Sequence, residues 1–309
     1  MRKILVTGAA GRVGRHVVRR LVGENVALRL LFRSPPAQTD AASGEVVVGD
    51  YNDAAQMAKA CNRVDAVFMY APNTQASSAV FRALREAGVR QVVLLSSASV
   101  SKAPPGANPI AERHRAAETA AQAAQLDWTF IRPDTMASNC LQWAASIRDE
   151  ARVYTPYPES MRNPLHEDDI ALLAVASLLS GEHSGRAFDV TGSALLRVSD
   201  QVDAIATELG RTLECVRISH AQALARMAAT SPGLSDQAAA RLLDYLQKSV
   251  TVAPRITDDF ARATGHAPRT FSEWARDNID QFTSARDAGG RRRFESPFSE
   301  PWLNRGRHG

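Results

Sequence analysis

The sequence predicts an α/β protein built on a doubly wound parallel sheet, followed by a smaller, mainly helical C-terminal domain. Short apolar runs rich in β-branched residues alternate with helix-patterned segments through residues 1–133, as strands joined by crossover helices do. The runs are almost continuously hydrophobic, which suits strands covered on both faces. A glycine triplet, Gly8, Gly11 and Gly14, follows the first run directly.

Six strands are expected in order: "KILVT", "ALRLLF", "EVVVG", "DAVFMY", "RQVVLL" and "WTFIRP". The first helix should run from Arg12 to about Gly23, with Val13, Val17, Val18, Leu21 and Val22 on its inward side. A later helix, "NPIAERHRAAETAAQAAQ", carries Ile110, His114, Ala117 and Ala121 at the i, i+4, i+7, i+11 spacing of one helical face, so His114 should lie on an apolar stripe that turns inward. After Pro133 helical stretches dominate: "SNCLQWAASIRDE", "DDIALLAVASLLSG", "SDQVDAIATELG", "SHAQALARMAA" and "SDQAAARLLDYLQ". Asp168 and Asp169 suit the N-cap and first turn of the second of these. "AFDVTG" and "ECVRIS" read as isolated strands. The boundaries drawn are 1–133 for the sheet domain, with 164–191 partly returning to it, 134–285 for the smaller domain, and 286–309 for a basic tail expected to be flexible.

A chain of 309 residues with 45% apolar content has enough material for a core. No apolar run approaches the roughly 18 residues of a membrane span, and "MRKILVTGAAG" enters a strand without a signal-peptide layout, so a cytoplasmic protein without membrane contact is expected. Cys61, Cys140 and Cys215 are odd in number and far apart, which argues against a disulfide framework or a metal site. The net charge of +4 is uneven: from Arg286 onward six arginines face Asp287, Glu295 and Glu300, leaving +1 for everything before. A nearly neutral body gives no reason to expect a nucleic-acid partner. No Gly-x-Ser-x-Gly elbow, His-Glu-x-x-His helix or Walker-type loop is present, so hydrolase, zinc-protease and NTPase chemistry have no footing.

The glycine triplet sits between a strand and the opening of a helix. Such glycines allow a tight turn, close backbone approach to a pyrophosphate, and close helix–strand packing, while the helix N-terminus offers N–H groups to the phosphates. Thr7, Gly8, Gly11, Arg12, Val13 and Gly14 are therefore expected to bind a dinucleotide on a Rossmann sheet. An NAD site usually places a carboxylate near the end of the second strand, and none lies between Glu24 and Asp40. Arg33 stands there instead, able to form a forked pair with a 2′-phosphate, which favours NADP(H); the alternative is a solvated loop arginine. At the end of the third strand, Asp50 is an acceptor for the adenine amino group, with Tyr51 beside it, while Asp53 reads as the cap of the next helix.

With this glycine triplet, Arg33, "GDYND", "LLSSASV" and "WTFIRPDTMASN" in order, the chain resembles the NmrA-like branch of atypical short-chain dehydrogenases/reductases over about its first 195 residues, and more weakly through "TELGR" and "RTFSEWARD". The resemblance implies NADP(H) on a Rossmann sheet and a substrate cleft between sheet and C-terminal domain. It places Tyr70, Ala71 and Pro72 beside the adenosine and nicotinamide ribose, Ser96, Ser97 and Pro133 at the nicotinamide end, and Thr135, Met136 and Asn139 in the cleft wall. Met136 and Trp143 would make that wall broad and apolar, suited to a flat aromatic ring, although Trp143 equally suits a core position.

The wider superfamily uses a Tyr-x-x-x-Lys pair on the helix after the fifth strand. Here Ile110 takes the tyrosine place and His114 the lysine place. The His-x-x-x-Glu pattern formed with Glu118 recurs in quinone-reductase members of the branch. His114 has three open readings: a ribose or amide ligand, a general acid, or a structural histidine bonded to Glu118. Glu118 is expected to hold the imidazole, and His166 to have a structural role. The implied function is an NADPH-dependent reductase of quinones, enones or other conjugated aromatic carbonyls. The alternative is a catalytically silent NADP(H)-binding redox sensor. No carboxylate pair marks a non-redox isomerase, and the oligomeric state is open, a homodimer included.

Overall fold

The computed structural model describes residues 1–35, 44–230 and 235–283. They form two compact units. The first comprises Met1–Asp134, Glu167–Thr191 and Thr257–Pro268, and the second comprises Thr135–His166, Gly192–Ile256 and the described residues from Arg269 on. Residues 257–268, assigned from sequence to the smaller domain, thus belong to the sheet unit. The expectation for 286–309 lies outside the described residues.

The first unit is built on strands β1 (Arg2–Thr7), β2 (Val26–Phe32), β3 (Glu45–Val48), β4 (Ala66–Tyr70), β5 (Gln91–Leu95) and β6 (Asp127–Pro133). All pair in parallel, and the Arg186–Val190 strand adds a seventh, giving the order Arg186–Val190, β6, β5, β4, β1, β2, β3. "AFDVTG" is therefore not isolated: Phe188 registers with Ile131 at the far edge of the sheet. The order reverses between β1 and β4, and at such a switch point the strands' carboxyl ends open a crevice for ligands.

Side chains alternate across each strand. Leu5, Leu31, Val67, Met69, Val92, Leu94 and Phe130 face a core shared with Met57, Phe81, Leu84, Ala117 and Ala121. These last residues come from helices α2 (Ala54–Ala60), α3 (Thr74–Glu86) and α5 (Pro109–Ala123), with a one-turn α4 (Ser99–Lys102) between α3 and α5. The intervening strand positions Ile4, Val6, Leu30, Phe68 and Val93 are also fully buried. Helix α1 (Gly14–Leu21) packs against the Glu167–Ser180 helix. The buried Asp168 carboxylate joins these two helices, accepting from Arg20 Nε at 2.8 Å, Arg20 Nη2 at 2.6 Å and Arg19 Nη2 at 3.2 Å.

Two helix faces differ from the sequence reading. Helix α1 begins at Gly14 rather than Arg12, and Val22 at its C-cap is 53% exposed. In α5, Pro109 occupies the first turn and Asn108 caps it, accepting from Ile110 N at 2.9 Å. The buried stripe then runs through Ala111, Ala117, Glu118 and Ala121, leaving Ile110 56% exposed. Ala117 and Ala121 lie on both the expected and the observed stripe, and the difference is confined to the first turn, where Ala111 rather than Ile110 is buried.

In the second unit "SNCLQW" is a 3₁₀ helix, Ala137–Trp143, followed by an α-helix, Ala144–Glu150. Positions i and i+3 eclipse in a 3₁₀ helix, which puts the buried Ala137 above Cys140 and Ser138 above Leu141. Glu214–Arg217, from "ECVRIS", pairs in parallel with Arg152–Thr155. The core of this unit gathers Ile147, Val153, Val202, Ile205, Phe271, Trp274 and Phe282. No described helix is long and apolar enough to cross a membrane.

Candidate cofactor site

The glycine loop is shaped by clearances that only glycine meets. Gly8 has φ +58°, a left-handed conformation, and its carbonyl accepts from Gly11 N at 2.7 Å. A Cβ on Gly14 would lie 2.0 Å from the Gly8 carbonyl oxygen, so α1 starts in direct contact with the loop. The amides of Val13 and Gly14 converge on one point: each donates to Tyr70 Oη at 3.2 Å. Tyr70 N in turn donates to the buried Thr7 Oγ1 at 3.3 Å. Thr7, Gly8, Gly11, Arg12, Val13 and Gly14 thus form one continuous turn at the sheet's switch point.

Arg33 follows β2 directly and is exposed. Asp50, after β3, accepts through Oδ1 from Asn52 N and Nδ2, both at 2.9 Å, while Tyr51 packs half-buried on the adjacent core. Asp53 caps α2, accepting from Gln56 N at 3.0 Å. Asn52, overlooked in the sequence, accepts from Asn73 N at 2.8 Å and ties this turn to the loop after β4. That loop has a second unforeseen support: Arg113 on α5 donates to the carbonyls of Ala71 at 2.5 Å and Pro72 at 3.2 Å. The only sequence signal for it is a charged residue beside His114 in an alanine-rich helix.

At the ends of β5 and β6, Ser96 Oγ donates to Glu118 Oε1 at 2.6 Å. Arg132 donates to both oxygens of the same carboxylate, Nε to Oε1 at 2.8 Å and Nη2 to Oε2 at 2.5 Å. Ser97 Oγ accepts from Ser99 N at 3.2 Å, and Pro133, buried at the end of β6, accepts from Ala98 N at 3.0 Å. Glu118 therefore does not hold His114, correcting the structural reading. A forked guanidinium on a facing strand is a stronger partner for a buried carboxylate than an imidazole one helical turn away.

His114 is half-buried overall, but its Nδ1 is sealed from solvent and has no hydrogen-bond partner among the described residues. Burial, with a smaller contribution from the Arg113 charge, lowers its pKa to about 3. The ring is consequently neutral near pH 7 and offers one donor and one acceptor rather than an acidic imidazolium. The folded pKa lies below the ordinary value of 6.5, so the unfolded chain binds the proton more readily between those limits. Stability should fall as pH drops from 6.5 toward 3, with a slope from this group approaching about 1.4 kcal/mol per pH unit. His114→Gln, unfolded by urea across that range, should show a correspondingly shallower decline.

In the second unit, Thr135 and Met136 form a two-residue parallel ladder with Pro164–Leu165, and both are half-buried. Asn139 is exposed, whereas Trp143 packs half-buried against that unit's own core. His166 is buried and its Nε2 lies 3.3 Å from Asp277 Oδ2, an arrangement that anchors it structurally.

A cleft of about 410 Å³ also opens in the first unit, lined by Met1, Arg2, Asp65, Arg90, Gln91, Asp127, Gly181 and Ser184. It lies at the amino ends of the strands, opposite the end where open parallel sheets bind ligands. The carboxyl-end face fits a pyridine dinucleotide better: paired first-turn amides for a pyrophosphate, glycine clearances that admit it, and a sealed imidazole nitrogen without a partner. When bound there, the cofactor supplies hydride; the chain supplies anchoring and orientation.

Comparisons with known proteins agree. A family described as NAD(P)H-binding matches residues 8–181. The (4-alkanoyl-5-oxo-2,5-dihydrofuran-3-yl)methyl phosphate reductase of Streptomyces griseus is 34% identical over 286 residues, covering 90% of this chain and 99% of that one. The NAD(P)H azoreductase of Xenophilus azovorans is 28% identical over 293 residues, covering 91% and 100%. Triphenylmethane reductase of Citrobacter sp. shares the fold, with a TM-score of 0.76 at 20% identity over 90% of this chain and 99% of that one. By its glycine loop, its sheet order and its match across more than half of its length, the chain belongs to the NAD(P)H-binding family.

Proposed function

We propose that the protein is an NADPH-dependent reductase that passes hydride to an electron-poor conjugated acceptor, such as a quinone or an enone. The observation that carries this reading is His114, held neutral beside a site with no Tyr-x-x-x-Lys pair. Without a strong acid, negative charge developing on the substrate must be stabilised mainly by the substrate itself. A quinone or a doubly activated alkene does so by delocalisation; an isolated ketone does not. The Streptomyces griseus relative supports this choice, since its named substrate carries a ring alkene conjugated to both a ring carbonyl and an alkanoyl group. The Xenophilus azovorans relative is named for reducing an azo group, a nitrogen–nitrogen double bond.

In this reading the Thr7–Gly14 turn seats the pyrophosphate, the exposed Arg33 pairs with the 2′-phosphate, and Asp50 and Tyr51 border the adenine. Ala71 and Pro72, fixed by Arg113, line the ribose, and Tyr70 stands beside them against the glycine loop. Ser96, Ser97 and Pro133 border the nicotinamide, and His114 bonds its ribose or amide. Thr135, Met136 and Asn139 contribute to the substrate wall. Trp143 packs on the core of its own unit.

Purified protein should oxidise NADPH, in preference to NADH, with simple quinones or acyl butenolides, followed by loss of reduced-nicotinamide absorbance. Unconjugated ketones should react at least about 10²-fold more slowly, the magnitude an absent general acid removes. Binding of NADPH without oxidation by any acceptor would overturn the reductase reading and leave the redox sensor, which the missing Tyr-x-x-x-Lys pair also accommodates.

A further inference from the structure

The glycine loop accommodates more than a pyrophosphate. The Tyr70 ring lies on it, with Cε2 2.8 Å and Cδ2 3.0 Å from the position of a Gly8 Cβ, and Oη 2.9 Å from that of a Gly11 Cβ. The phenol oxygen accepts from both Val13 N and Gly14 N, the donors at the start of α1. A main-chain amide has one hydrogen, and a phosphoryl oxygen bound at this helix end would need the same two. The ring also meets Phe68 edge-on, at 6.0 Å between centroids.

We propose that Tyr70 sets the affinity of the cofactor site by competing with it: its phenol stands in for a phosphoryl oxygen and turns away when the dinucleotide binds. Charge decides the exchange. A phosphate at a helix N-terminus gains from the helix dipole and from charge-assisted hydrogen bonds, roughly twice as strong as those to a neutral phenol. Ligands with a pyrophosphate displace the ring, whereas an uncharged nucleoside has nothing with which to displace it. Tyr70 thus favours phosphorylated ligands and holds the affinity for all of them below what the amides alone would give. It also keeps the α1 amides satisfied in cofactor-free protein, where a helix start would otherwise leave them bare.

The test is a pair of measurements on Tyr70→Phe, with Tyr70→Leu as a second removal of the hydroxyl. Loss of a typical neutral hydrogen-bonding group costs cofactor-free protein about 0.5–1.5 kcal/mol, so NADPH should bind Tyr70→Phe about two- to tenfold more tightly by calorimetric titration. Tyr70→Leu should move the dissociation constant in the same direction. The melting temperature of Tyr70→Phe should lie below that of the parent in cofactor-free samples, and the gap should close at saturating NADPH. Unchanged or weaker NADPH binding by both variants, with the melting gap persisting at saturation, would overturn the proposal. It would show that the phenol stays on its amides, or contacts the cofactor favourably, in the complex.

Discussion

Gly14→Ala is expected to abolish useful cofactor binding and to lower stability together. The new Cβ would lie 2.0 Å from the Gly8 carbonyl oxygen, 2.8 Å from its carbon and 3.3 Å from Ala9 Cα. These are backbone atoms, so no rotamer change relieves the clash; helix α1 or the loop must move by about an ångström, and overpacking of this kind costs roughly 1–3 kcal/mol. Amides moved by about an ångström lose the distance and angle that a hydrogen bond to the pyrophosphate needs. Calorimetric titration with NADPH and urea unfolding should therefore both register the change. Gly88→Ala is the control. Gly88 has φ +89° and nothing within 4 Å of its Cβ position, so that variant carries the backbone strain alone and should keep its affinity.

Glu118→Ala should be the most destabilising single change among the polar residues around the site. The carboxylate is buried and neutralises Arg132, whose own pKa is raised mainly by that hydrogen-bonded contact. Removing one partner of a buried pair leaves the other uncompensated, which costs about 3–5 kcal/mol. The lower end applies here, because the Arg132 side chain keeps 20% exposure and has Asp189 3.9 Å away. Ser96 would lose its acceptor in the same step, loosening the end of β5. Replacing both partners, Glu118→Leu with Arg132→Met, should recover most of the loss. Urea unfolding of the three proteins separates the cost of a stranded charge from the net worth of the pair; equal losses in the single and double variants would refute the account.

Much of this architecture was legible because few physical solutions exist. Strands buried on both faces must be apolar throughout, and five of the six runs are legible for that reason; β3 is equally apolar, yet it lies at the sheet edge with Val46 and Val48 exposed. The glycine loop was legible because no other residue tolerates its backbone and clearances. Failures occurred where the deciding contact is distant in sequence. The His114–Glu118 spacing suggested a local pair, yet Glu118 is claimed by Arg132 on a strand that begins only after α5 has ended. Ile110 shares a helical face with the inward Ala117 and Ala121, yet it sits in the first turn beside the Asn108 cap and is left exposed while Ala111 packs inward. Tyr70 was placed at the cofactor face by resemblance; that its hydroxyl reaches back across the loop to α1 has no sequence signature. Arg113 and Asn52 act through backbone carbonyls and amides, which carry no residue code at all.

The discontinuous build of the first unit bears on how the protein is made. The residues of the nucleotide seat from Thr7 to Tyr70 are synthesised, at about 5–20 residues per second, well before the Glu167–Ser180 helix on which α1 packs. The outer margin of β6 is likewise completed late: its neighbour, Arg186–Val190, emerges only after the ribosome has produced the excursion through Thr135–His166, and the Asp259–Thr264 helix packed on that neighbour comes later still. Until then an apolar strand presents bare amides and carbonyls to the cell, the kind of edge that recruits other chains. The later-made segments thus complete both the α1 side of the glycine loop and the outer margin of β6.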